Sequence, residues 1–128
     1  MELSVQPASL VDGIEASGLS APLEVAFMII HVKGELDSNT SGELDNTLKQ
    51  LLGEGSRRFI LELSEMDYVS SVGLRVFLAH LKKLKSDQGR MVLAGLNAEV
   101  QEIFDMAGFS SLFEITPDLE AARSVLRS

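Results

Sequence analysis

The residues best placed to do chemistry in this chain are two adjacent serines. They stand in Met66-Asp67-Tyr68-Val69-Ser70-Ser71-Val72-Gly73-Leu74-Arg75-Val76-Phe77-Leu78. An apolar, strand-like run (Phe59-Ile60-Leu61-Glu62-Leu63) precedes them, and a helix-like run follows, in which Leu74, Phe77, Leu78 and Leu81 recur at i, i+3, i+4 and i+7. The pair therefore falls where a helix should begin. The first turn of a helix carries unpaired N–H groups and a partial positive charge. A hydroxyl there has two uses. It can cap the helix, or it can carry a phosphate, which that end of a helix tolerates. From this stretch alone the cap is the commoner outcome.

Other constellations are weaker. His31 and His80 have no ligand spacing around them and read as strand or helix surface residues rather than metal ligands. The chain has no cysteine, which excludes disulfides, thiolate chemistry and Cys-based zinc sites. Gly13, Gly18 and Gly34 lack the spacing and the Lys-Ser/Thr ending of a phosphate loop. Neither histidine sits in a loop after a strand, so no Ser-His-Asp set can be assembled. The carboxylate pairs Glu35/Asp37 and Glu62/Glu65 read as solvated surface. No catalytic constellation, cofactor site or metal site emerges, and the chain reads as a non-enzyme.

The elements that must position the serines belong to one domain. The chain has 128 residues, 45% of them hydrophobic and 23% charged, which fits a single globular unit. With six Phe, one Tyr and no Trp, the core should be aliphatic. A net charge of −8 argues against a nucleic-acid surface and against docking on an anionic membrane. No apolar run reaches the length of about 18 residues that a membrane span needs. The N-terminus is acidic rather than basic, unlike a signal peptide, so a cytoplasmic protein is expected.

Residues 1–22 read as an N-terminal extension with a short edge strand, where Leu3 and Val5 alternate with polar neighbours. Leu10, Val11 and Ile14 either extend it or cover a hydrophobic surface. Residues 23–128 read as the domain proper. It opens with a strand over 23–33 ending at Gly34, then a turn-rich segment to Thr40. Thr40-Ser41-Gly42-Glu43 has the spacing of a capping box. The helix after it carries Leu44, Leu48, Leu51 and Leu52 on one face and is stopped by Gly53 and Gly55. A central strand follows over 57–63. The helix opened by the serines runs to about Ser86, with Arg75, Lys82, Lys83 and Lys85 on a solvated face. After a turn at Asp87-Gln88-Gly89 come a buried strand over 91–94, then a helix capped by Asn97 with Val100, Ile103, Phe104 and Ala107 as its stripe, ended by Gly108. A short strand over 112–115 leads to Thr116-Pro117-Asp118, a cap with Pro at the first helical position, and a last helix burying Leu119, Ala122, Val125 and Leu126.

From the second strand on, every strand is followed by a helix. This predicts an α/β domain with a mixed, mostly parallel sheet of four or five strands and about four helices. Loops at the carboxyl ends of such strands share one edge. Two leave there, over 34–40 and 64–71. If their strands are neighbours, Asp37 and Ser71 lie together on that rim. An acceptor hydroxyl beside a carboxylate, in a chain without a catalytic set, suggests the substrate of a kinase.

Three stretches together resemble the STAS domain of bacterial anti-sigma factor antagonists: Gly34-Glu35-Leu36-Asp37, Val69-Ser70-Ser71-Val72-Gly73-Leu74 and Phe104-Asp105-Met106-Ala107-Gly108-Phe109. The similarity spans roughly residues 25–126, with the elements in the same order. It implies a partner-switching regulator of transcription and phosphoprotein. Unmodified, such a protein binds an anti-sigma factor that is also a serine kinase; phosphorylated at the start of the second helix, it lets go, and a serine phosphatase reverses the change. By the resemblance the acceptor matches Ser71, with Ser70 as second choice, and the loop aspartate matches Asp37. The implied docking rim is Asp37, Ser38, Asn39, Ser70, Ser71, Gly73 and Leu74, with Gly73 letting the partner backbone approach. One departure stands out: Ser70 occupies the place where the family's best-known members have Asp, and the nearest acid before it is Asp67. Some relatives are unphosphorylated scaffolds or subunits of sensor or transporter complexes, which is the alternative reading. A small-molecule site would need a deep pocket, of which composition gives no hint. Residues 1–22 could pack on their own domain or on a second copy in a homodimer.

Overall fold

The computed structural model describes residues 1–9 and 26–127. The expected start of the second strand at 23–25, the residues Leu10, Val11 and Ile14, and the boundary at 22/23 lie outside the described residues. In chain order the elements are β1 (Glu2–Ser9), β2 (Ala26–Leu36), α1 (Ser41–Gly53), β3 (Arg58–Glu62), β4 (Met66–Val69), α2 (Ser71–Ser86), β5 (Arg90–Ala94), α3 (Ala98–Met106), β6 (Glu114–Thr116) and α4 (Leu119–Arg127). They build an α/β domain on a six-stranded sheet of order β1-β2-β3-β5-β6, with β4 paired to β2. Among the described residues only the β1–β2 pair is antiparallel; β2–β3, β2–β4, β3–β5 and β5–β6 are parallel.

The central strands of the sheet are buried on both faces, which explains the near-continuous apolar runs of β2, β3 and β5. Ile30, Val32, Phe59, Leu61, Met91 and Leu93 point to one face, where α1, α2 and α3 cover them with Leu44, Leu48, Leu51, Phe77, Leu81, Leu84, Val100 and Phe104. Phe27, Ile29, Ile60, Val92 and Ala94 point to the other, under Ala122 and Leu126 of α4. Each of the buried Val, Leu, Ile, Phe and Met side chains contributes roughly 1.5–3 kcal/mol of transfer free energy. Phe77, Phe104 and Phe113 meet with ring centroids 5.9, 6.5 and 5.8 Å apart, and so tie α2 to α3 and to the segment before β6.

The sheet has one strand more than the four or five expected. Residues 66–69, read from sequence as loop, form β4. Its four residues have their ends buried (Met66, Val69) and their middle exposed (Asp67, Tyr68), so no two-residue alternation betrays it. It exists because β2 outruns β3. Residues 28–31 of β2 pair with β3, whereas its last residues pair with β4: Gly34 with Met66, Glu35 with Tyr68, Leu36 with Val69. The register shifts between Gly34 and Glu35, and Gly34 adopts φ +95, a left-handed conformation that favours glycine. Gly34 is therefore a bulge inside the strand, not its end.

Two expected caps are placed differently. Thr40 makes no side-chain cap to α1; its hydroxyl is turned back to the Glu35 carbonyl at 2.8 Å. At α4 the cap is Asp118, whose Oδ1 accepts from the Ala121 N–H at 2.8 Å, while Thr116 donates to the Leu93 carbonyl at 2.9 Å. Pro117 precedes the helix, which starts at Leu119. The last strand is β6 at Glu114–Thr116, displaced from the 112–115 expected.

Candidate functional site

Two chain segments leave the sheet side by side where β2 and β4 end. Leu36 and Val69 are register partners, and the Ser70 N–H donates to the Leu36 carbonyl at 2.9 Å. The residues that follow, Asp37 on one segment and the serine pair on the other, are thereby brought together. The rim expected from topology exists, and its pairing runs through β4 rather than β3.

The Asp37 turn is locked by its own polar groups. The Asp37 Oδ1 accepts from the Asn39 N–H at 2.9 Å and the Thr40 N–H at 3.2 Å. The Asp37 N–H donates to the Thr40 hydroxyl oxygen at 2.9 Å. Its carbonyl accepts from the Ser41 N–H at 2.8 Å and from the Ser41 hydroxyl. This is an Asx-type turn. The Asn39 N–H above all, with the Thr40 hydroxyl and N–H, holds the Asp37 carboxyl below the usual carboxylate value, against a smaller opposing effect of burial. The turn thus presents a fixed anion whose Oδ2 takes part in none of these bonds. Ser38 and Asn39 at its tip are exposed.

The two serines differ. Ser70 is the N-cap of α2: its backbone is extended (φ −86, ψ 172), and its Oγ accepts from the Gly73 N–H at 3.2 Å. Ser71 is the first residue of the helix and is exposed, whereas Ser70 is half-buried. The capping role therefore belongs to Ser70 and leaves the Ser71 hydroxyl free of it.

Gly73 and Leu74, the remaining residues of the expected rim, are buried. A Cβ on Gly73 would lie 2.9 Å from the Leu36 Cγ, the Leu36 carbonyl oxygen and a Val69 methyl. The close approach that Gly73 permits is thus made by its own chain: α2 sits down on the ends of β2 and β4. Leu74 belongs to the core beneath. These two residues set the height and angle of Ser71, while Asp37, Ser38, Asn39, Ser70 and Ser71 form the accessible rim.

Two polar contacts escape a reading by local pattern. Asn97 caps α3, accepting from the Val100 N–H at 2.9 Å, and also donates from Nδ2 to the Met66 carbonyl at 3.0 Å, which anchors the start of β4. His80, read from sequence as a surface residue, is 5% exposed, with Nε2 2.7 Å from the Asp45 Oδ1 of α1. The other Asp45 oxygen is 2.9 Å from the Lys49 ammonium. That ammonium first, and His80 second, hold the Asp45 carboxyl below its usual value despite burial. Asp45 precedes His80 by 35 positions, so only the packing of α1 on α2 reveals the pair.

Among the described residues no group of His, Cys, Asp or Glu gathers as a metal site, and no helix is long and apolar enough to cross a membrane. A cavity of about 160 Å³ lies at the far end of α2, lined by Leu81, Lys85, Gly89, Arg90, Met91, Leu112 and Glu114. It does not involve the rim.

A family model described as STAS domain matches residues 17–122. BtrV of Bordetella bronchiseptica, a protein assigned as an anti-sigma factor antagonist, is 36% identical over 102 residues, covering 80% of this chain and 88% of that one. An anti-sigma-B factor antagonist of Staphylococcus epidermidis is 29% identical over 94 residues, covering 73% and 87%. Among solved structures, an anti-sigma factor antagonist from Mycobacterium paratuberculosis superimposes with a TM-score of 0.75 at 19% identity, over 99% of this chain and 96% of that one. The last agreement is one of fold.

Proposed function

The chain belongs to the STAS domain family, and from that premise we propose that it is an anti-sigma factor antagonist acting by partner switching. Unphosphorylated, it binds an anti-sigma factor that is also a serine kinase, through the rim of Asp37, Ser38, Asn39, Ser70 and Ser71. The kinase transfers the γ-phosphoryl group of ATP to the Ser71 Oγ. A new O–P bond forms, the bond to ADP breaks, and the hydroxyl proton leaves to a base of the kinase. The phosphorylated protein dissociates, and a serine phosphatase restores it by hydrolysis.

The observation that carries this reading is the division of labour in the serine pair: Ser70 spends its hydroxyl on the helix cap, and Ser71 stands exposed beside the Asp37 turn. The names of the relatives support the regulatory class. The physical basis of release is charge. Phosphorylation adds about −1.5 to −2. Against a partner carboxylate ~6 Å away, the repulsion is roughly 1 kcal/mol in a water-like dielectric and about 5 kcal/mol at an effective value of 20. That is on the order of a tenfold to several-thousandfold loss of affinity.

The test is a pull-down from native lysate with the tagged full chain and phosphosite mapping by mass spectrometry. The expected result is a serine kinase of the anti-sigma class in the bound fraction and phosphate on Ser71 in the unbound one. Ser71→Ala should keep binding and lose the phosphate; Ser71→Asp should bind weakly. Phosphate on Ser70 in the Ser71→Ala protein would move the acceptor. A second reading, an unphosphorylated scaffold, is favoured by Ser70 standing where the family's best-known members carry Asp. It would replace the first if a sensor or transporter assembly co-purified stoichiometrically with both serines unmodified.

A further inference from the structure

We propose that Arg75 is the internal counter-ion of phosphorylated Ser71, so that the phosphate is held on the helix that carries it. The inference rests on the reading of Ser71 as phosphoacceptor and goes beyond it to what the phosphate does next.

Arg75 lies four residues after Ser71 within α2, and both are exposed. Positions i and i+4 are neighbours on one helix face. Side chains on a helix lean toward its N-terminus, so the guanidinium of Arg75 is carried back over the turn that holds Ser71. An anion followed by a cation four residues later is also the favoured order of such a pair. The helical neighbours of Arg75 at three and four positions are Ser71, Val72, Leu78 and Ala79, none of them charged. The first turn of α2 holds no acid, and among the described residues Arg75 makes no ion pair or hydrogen bond. Phosphorylation is therefore what would supply its partner. The guanidinium matches the phosphate with two parallel N–H donors, which an ammonium cannot. Lys82, Lys83 and Lys85, on the same solvated side by sequence, lie two to three turns farther along and cannot substitute.

This counter-ion differs from the helix terminus itself, and the difference can be measured. A phosphate on Ser70 would meet the same terminus but stand five residues from Arg75, off its face. Asp37 and Asp67, the acids of the adjoining turn and strand, act on both phosphates, so the effect of Arg75 is read as a difference between variants.

The experiment is a ³¹P NMR titration of the full chain with phosphoserine installed at position 71 during translation, which makes it independent of any kinase. In Arg75→Gln the second phosphate pKa should rise by about 0.2–0.4 pH unit over the parent, the size expected for one exposed i,i+4 pair. Arg75→Glu should raise it further. The same substitutions should leave the titration of a chain phosphorylated at position 70 unmoved. Equal midpoints for the parent and Arg75→Gln at position 71 overturn the proposal, as does an equal shift at position 70. The outcomes are separable from those of the partner-switching reading. A shift with no phosphate on the native protein sinks that reading and keeps the ion pair; native phosphorylation without a shift does the reverse.

Discussion

Replacing Gly73 by Ala tests whether the rim is built by close packing of α2 on the strand ends. The new methyl would stand 2.9 Å from three atoms, the Leu36 Cγ, the Leu36 carbonyl oxygen and a Val69 Cγ. Two are side-chain carbons of fully buried residues. The third is backbone, and it is already committed: it accepts the Ser70 N–H at 2.9 Å. The strain can be relieved only by lifting the first turn of α2 off the sheet. Forcing an extra carbon into a packed site costs about 1–3 kcal/mol, and the better helix propensity of Ala in a first turn returns up to about 0.5 kcal/mol. The net expectation is a loss of roughly 0.5–3 kcal/mol, a fall in melting temperature of about 2–10 °C for a domain of this size. Gly42 in α1 is the control, because a Cβ there meets nothing within 4 Å; Gly42→Ala should be neutral or stabilise by up to about 0.5 kcal/mol. Urea and thermal unfolding of the two variants beside the parent decide the matter. If Gly73→Ala melts at or above the parent while Gly42→Ala behaves as expected, α2 is not seated as described and the position of Ser71 is not fixed by Gly73.

Further expectations concern single polar groups. Ser70→Ala removes the cap of α2 and should cost about 0.5–2 kcal/mol by urea unfolding, whereas Ser71→Ala should be close to neutral; equal effects would contradict the assignment of the cap. Asn97→Ala deletes both the cap of α3 and the tie to Met66, and should cost about 1–2 kcal/mol, read as a lower urea midpoint. Because the Asp45 carboxyl titrates below its unfolded value, its stabilisation is present above about pH 4 and is lost as the pH falls through the folded pKa. Asp45→Asn should therefore be less stable than the parent near pH 6 and lose less on going from pH 5 to pH 2. Parallel urea-midpoint profiles for the two proteins would exclude that role.

Much of the domain could be read without coordinates because its local signals agree with its packing. Of the stripe Leu74, Phe77, Leu78 and Leu81, α2 buries all but Leu78, which is half-buried, Asn97 caps α3 as its position suggests, and the double-sided burial of β3 and β5 follows from their unbroken apolar runs. What stayed hidden depends on contacts distant in sequence. Strand β4 is too short for a period and is defined by the tip of β2. The burial of His80 is set by Asp45 across a helix–helix contact. At the site, the serine pair and Asp37 could be placed on one rim from the order of elements. The division between a capping Ser70 and an exposed Ser71 depended on where the helix begins, and sequence fixes that only to within a residue or two. Gly73 reads as a point of close approach, but what approaches it is Leu36 of the same chain.

Strand β4 also bears on how such a regulator can diverge. The strand is held in place by Met66 and Val69, while Asp67 and Tyr68 are exposed. Substitutions at these two positions change the surface just before the serines with little penalty to folding. The surface leading up to the serines is thus free to vary, while Met66 and Val69, with Gly34 and Gly73, keep the strand ends and the start of α2 in one arrangement.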